Sequence, residues 1–243
     1  MTGLWAPFLL ICVAIIPLVP FFVWFRARNF GLLRFLLSLA AGILAVIPAV
    51  LIQSFFPPPS PRAEIGLVLF GAFVRISLVE ESCRFLTLFL LFRLCPYARI
   101  VSPLSAVANA ENKHFSFFGA PSGLVAGLGF AAGESIFYGL TDPGIVILRA
   151  FTAAPLHAAC GARIGTCLGV LAEAPLRAIF LIIAAIFIHG IYNFFIVNQG
   201  IPWFLPAFIA LSALASSILA IWHEGSVTGL SKGKKNGNEK PLV

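Results

Sequence analysis

Apolar residues along this chain run in blocks, separated by short polar or turn-rich connections. A helix needs about 20 apolar residues to cross about 30 Å of hydrocarbon, and the pattern predicts seven such helices, at roughly 4–25, 33–56, 65–92, 121–140, 144–167, 177–198 and 202–222. The divisions fall on turn sequences, among them the prolines at 57–59 and 61, Thr141-Asp-Pro-Gly144 and Gln199-Gly-Ile-Pro202. The expected fold is all-α, a polytopic transmembrane bundle forming one domain over 1–222, with its functional core on spans three to six, about 65–198. The connection 93–120 mixes charge with Phe115, Phe117 and Phe118 and is expected to lie along the interface. The polar stretch 223–243 is expected to be a disordered cytoplasmic tail.

Composition strengthens this picture. Hydrophobic residues make up 60% of the 243 and charged residues only 10%, against about 25% in a soluble domain, so there is too little polar surface for one. A net charge of +7 raises the question of nucleic acid. The positions answer it, because Arg26, Arg28 and Arg34, Arg93, Arg99 and Lys113, Arg163 and Arg177, and the tail lysines fall in or beside alternate connections. That is cytoplasmic retention of positive charge, which places the N-terminus outside and the C-terminus in the cytoplasm; no nucleic-acid partner is expected. The first apolar run lacks a positive leader and is expected to be a retained span rather than a cleaved signal. Five scattered cysteines without C-x-x-C spacing suggest neither a disulfide framework nor a thiolate metal site.

Against this background the ionisable residues within spans need a reason, since each costs several kcal/mol in hydrocarbon. Span three carries Arg75, Glu80, Glu81 and Arg84, span four Glu134, span five Arg149 and His157, and span six His189. Converting position to depth at about 1.5 Å per residue puts Glu80, Glu81, His157 and His189 at one level, with Glu134 somewhat outward. Glu80 and Arg84 are four apart, as are His189 and Asn193, so each pair is expected to share a helix face. Glycines at 119, 123 and 127 and at 161, 165 and 169 form stripes that let two helices approach closely.

Such a set can activate water. A buried carboxylate can serve as general base, with imidazole and amide groups orienting the water or stabilising an oxyanion. Alternatively, His157, His189 and Glu134 could hold one divalent metal, most simply zinc, with a position open for water. Sequence order leaves both readings open. Neither H-E-x-x-H nor G-x-S-x-G is present.

Taken in order, these stretches resemble the PrsW family of intramembrane proteases. Glu80-Glu81-Ser82-Cys83-Arg84 resembles its E-E-x-x-K/R element, and Gly127-Leu-Gly-Phe-Ala-Ala-Gly-Glu134 its G-L-G-F-A-x-x-E element. Arg149 with His157-Ala-Ala-Cys-Gly161 resembles a third stretch, and His189-Gly-Ile-Tyr-Asn193 the final H-x-x-x-D. Ser135 stands where the family usually has Asn, and Asn193 where it usually has Asp, as in the related CAAX-type membrane proteases. The resemblance implies an intramembrane endopeptidase of a bacterial cytoplasmic membrane. Its expected site is Glu80, Glu81, Glu134, His157, His189 and Asn193, supported by Arg84 and Arg149. Its implied partner is a membrane-protein substrate, an anti-sigma-factor-like single-span protein cleaved in a regulatory site-1 step. The alternatives are a proton-coupled transporter, which broken helices and inverted repeats would favour, and a non-catalytic scaffold of the same fold.

Overall fold

A computed structural model describes residues 5–56, 64–94, 113–198, 200–202 and 204–236, and among them every regular element is helical. Helices α1 (Trp5–Ile15) and α2 (Leu18–Ala27) replace the single first span expected at 4–25. The reason is local: Pro17 and Pro20 lack an amide hydrogen, and their rings exclude the carbonyls four residues earlier, breaking the helix at Ile16. Helix α3 (Leu32–Gln53) follows as expected. Next comes one continuous rod of three parts: α4 (Ile65–Phe70), a π-helical segment (Gly71–Leu78) and α5 (Val79–Leu94).

Helix α6 (Lys113–Gly139) begins well before the expected 121, so 113–120 are helical, while 95–112 lie outside the described residues. The fifth span, expected as one helix over 144–167, is α7 (Pro143–Phe151) and α8 (Ala153–Val170), bent by 49°. Pro155 accounts for the bend, since its ring displaces the carbonyl of Phe151, four residues back. Asp142 caps α7, its Oδ1 accepting from the Gly144 amide at 3.0 Å. Helix α9 (Pro175–Val197) matches its expected span, and α10 (Phe204–Asn236) overruns its own. The helix thus runs on through 223–236, part of the stretch expected to be a disordered tail.

By length and apolarity, α3, α9 and the α10 portion Phe204–His223 can each cross a membrane, and α7 with α8 can form a fourth crossing if the bent pair is one span. The exterior fits lipid. Ile47, Leu51, Ile183, Phe187 and Leu219 are exposed on these helices, where water would penalise them.

Helices α6 and α8 form the centre of the packing. A side chain at Gly123 would run into the backbone of Gly161 and Gly165, and one at Gly127 into the carbonyl of His157. The two backbones are thus in direct contact, as the glycine stripes predict. Gly42 of α3 lies equally close to the Ala126 carbonyl, so α3 closes on the opposite side of α6. Around this seam α5, α8 and α9 bury Leu88, Leu156, Cys160, Ile164, Ala185 and Tyr192 in one apolar cluster.

Candidate active site

The π-helical segment sets the phase of the residues that follow it. Within it the Ser77 hydroxyl donates to the Ala72 carbonyl, five residues back, at 2.7 Å. Beyond it, both Glu80 and Glu81 are buried among the helices although they are neighbours in sequence. Phe73 of the same segment packs where a side chain at Gly190 would otherwise sit, fixing the turn beside His189.

Glu81 is the fully engaged carboxylate. Arg84 Nη1 donates to both of its oxygens, at 2.7 and 2.6 Å, and His189 Nδ1 lies 2.7 Å from Oε1. The arginine partner expected for Glu80 at a spacing of four thus belongs to Glu81 at a spacing of three. Arg84 is fully buried, its guanidinium stacked 4.5 Å from the Phe130 ring. Its Nη2 is 2.9 Å from His157 Nδ1. Arginine only donates, so Nδ1 accepts and the ring proton sits on Nε2, which donates to Glu134 Oε2 at 3.0 Å. Glu134 is held in turn by Arg149 Nη2 at 2.5 Å, while Arg149 Nε donates to Ser135 Oγ at 3.1 Å. Arg149 is therefore tied into the cluster.

Glu80 differs. Gln53 Nε2 donates to its Oε1 at 2.9 Å, while Oε2 is buried without a hydrogen-bond partner. That oxygen lies 3.6 Å from His189 Nε2. With His189 Nδ1–H donating to Glu81, the neutral ring would turn an Nε2 lone pair toward the Glu80 oxygen across a gap.

A gap of that size fits a shared cation. Zinc binds imidazole nitrogen and carboxylate oxygen at about 2.0–2.2 Å, so two tetrahedral ligands stand about 3.4 Å apart. Glu80, His157 and His189 each offer a ligand atom within 4.8 Å of the others. The carboxylate grouped with the two histidines is thus Glu80, where the sequence pattern suggested Glu134. Glu81 behind His189 supplies the carboxylate–imidazole support that metal-ligating histidines usually have. His157 fits less directly, since Arg84 and Glu134 occupy both of its nitrogens. Two donors are preset and the third must exchange a partner.

Asn193 lies on the rim of this cluster. Its amide donates to Ser77 Oγ at 3.4 Å, bracing the π-helical segment rather than joining His189 at a common point. Gln53, Phe130 and Tyr138 were not singled out from the sequence. Gln53 reads there as an ordinary polar residue ending an apolar run, and its value depends on a contact 27 positions away.

A cavity of about 220 Å³ opens onto the cluster, lined among others by Gln53, Arg75, Glu80, Phe130, Glu134 and Tyr138. Glu80 and Glu134 border it; Glu81 does not.

Helices of membrane-crossing length closing around buried carboxylates and imidazoles define an integral membrane protein with an enclosed polar centre. A family model described as PrsW family intramembrane metalloprotease matches residues 32–221, and the chain belongs to that family. No curated protein and no solved structure matches it.

Proposed function

We propose that this chain hydrolyses a peptide bond of a membrane-protein substrate, with Glu80 taking the proton of the attacking water at its free Oε2. The observation that carries this reading is the contrast between the paired glutamates. Glu81 has both oxygens committed to Arg84 and His189, whereas Glu80 presents a buried, unpartnered oxygen at a cavity. Only the second can accept a proton without first breaking an ion pair.

The other residues orient it. Gln53 fixes the Glu80 carboxylate through Oε1, and Glu81 holds the His189 ring so that Nε2 faces the same gap. Glu80, His157 and His189 would hold a divalent ion, and zinc suits their donor atoms. Such an ion, when bound, would polarise the scissile carbonyl and acidify water. With Glu80 engaged in that way, Glu134 is the other carboxylate that borders the cavity. Phe130 and Phe137 on the cavity lining limit bulk water around the reacting bond.

The charge pattern of the connections supports seven crossings with the N-terminus outside. The family supports a bacterial cytoplasmic membrane and a regulatory, site-1-type cleavage of a single-span substrate. Broken helices of the kind a transporter would use do occur, at Ile16 and Thr152, but family membership favours proteolysis over transport.

The test is N-terminal peptide profiling of membranes from cells expressing the wild-type chain or Glu80→Gln at matched levels. New N-termini near membrane segments should appear with wild type and be absent with the amide, which keeps the shape but cannot take the proton. Identical profiles would remove the proteolytic reading and bring transport forward. A chelator arm, with zinc added back, separates the two forms of the chemistry: restored cleavage requires an ion, and unaffected cleavage assigns the work to Glu80 alone.

A further inference from the structure

Arg75 is a cation that the proposed chemistry does not use. It sits in the π-helical segment, half-buried, on the lining of the same cavity as Glu80. Among the described residues no carboxylate lies within ion-pair distance of it. Its guanidinium donates only to two backbone carbonyls, from Nε to Phe56 at 3.3 Å and from Nη2 to Gln53 at 3.4 Å. Both contacts are long, and neither neutralises the charge. The other arginines at the site, Arg84 and Arg149, each have a glutamate.

We infer that Arg75 is a specificity residue, binding an acidic side chain of the substrate peptide that lies within two or three residues of the bond to be cut. The inference rests on the proteolytic reading above and adds a substrate class to it. Arg75 and Glu80 are five positions apart in one continuous helical stretch, at most about 7 Å along its axis since a π-helical turn is more compact, which two or three residues of extended peptide span. The cavity joins the two, and Gln53 and Ser54 on its wall provide polar groups for a peptide backbone. A carboxylate here would meet a planar donor fork whose present acceptors are uncharged. The bland alternative, that Arg75 merely caps the carbonyl end of α3, predicts no dependence on substrate charge.

Binding separates this idea from hydrolysis. Synthetic single-span peptides, with Asp or Asn scanned through both ends of the span, are titrated against the Glu80→Gln chain in phosphatidylcholine nanodiscs. At one position the Asp peptide should bind about tenfold more tightly than its Asn counterpart, as a charge-assisted fork contact allows. That gap should close with Arg75→Gln, persist in reduced form with Arg75→Lys, and turn into a preference for a Lys peptide with Arg75→Glu. Equal affinities of Asp and Asn peptides at every position overturn the inference, and so does a gap that survives Arg75→Gln. Loss of the gap when phosphatidylglycerol replaces phosphatidylcholine would assign Arg75 to a lipid phosphate and overturn it too. These measurements need no turnover. A wild-type chain that cleaves nothing would defeat the proteolytic reading while leaving the binding preference standing.

Discussion

One helix, α6, serves two opposite regions of this molecule. Toward α8 it presents glycines, and backbone meets backbone with no room for a single added carbon at Gly123 or Gly127. Toward the end of α3 it presents Phe130, Glu134, Phe137 and Tyr138, and packing gives way to a cavity. The seam has shape and no chemistry; the cavity wall has chemistry and incomplete packing. The two are joined at His157, whose backbone carbonyl lies in the seam against Gly127 and whose ring reaches Glu134 at the cavity. Placement of the reacting groups is therefore inherited from a close backbone contact, and the polar cluster lies where that contact ends.

Substitutions in the seam should have the largest effect. Gly127→Leu should drive α6 and α8 apart at His157, destabilising the protein by about 1–3 kcal/mol or more and abolishing cleavage, as read by thermal unfolding and substrate turnover together. Full activity in that variant would show that the seam does not position the site.

At the cavity, Glu134→Gln should lower cleavage by roughly 10²-fold and also lower the unfolding temperature, since the amide fills the same space but leaves the Arg149 charge unneutralised. Gln53→Ala removes the donor to Glu80 Oε1 and should cost about tenfold in turnover, the worth of one hydrogen bond to a charged group. The effect should appear in kcat more than in KM, because the contact orients a reacting group.

The smallest effect belongs to a glycine outside both regions. A side chain at Gly66 in α4 would meet nothing within 4 Å, so Gly66→Ala should stabilise the protein by up to about 1 kcal/mol through helix propensity, with cleavage unchanged. The same substitution at Gly123 should destabilise it. If Gly66 and Gly123 respond alike, close backbone approach is not what the stripes provide.

Much of this was legible in the sequence because ionisable residues are scarce in apolar helices. Glu80, Glu81, Glu134, His157 and His189 stood out against 60% hydrophobic composition, and the structure brings all five into one cluster. The glycine stripes were legible for a related reason, as a regular interval that only close packing rewards. Less legible were features that depend on a partner distant in sequence or on a local departure from the α-helix. Gln53 acquires meaning only from Glu80, and Asn193 bends toward Ser77 because the π-helical segment offers it a hydroxyl. The breaks at Ile16 and Thr152 each follow from a proline that an apolarity count passes over. Arg84 was assigned to Glu80 by counting four, but buried geometry selected Glu81.

The π-helical segment also changes how this stretch should be read against other sequences. A π turn holds about one residue more than an α turn, so Gly71–Leu78 carries slack that a straight helix would not contain. Interval rules that hold on either side fail across it: Arg75 cannot be placed relative to Glu80 by counting in steps of three and four. A relative lacking one residue between 71 and 78 would keep its glutamates while changing the rotation of the preceding helical stretch relative to them. Alignment would record such a difference as a trivial gap, yet it would decide which way the cation at 75 points.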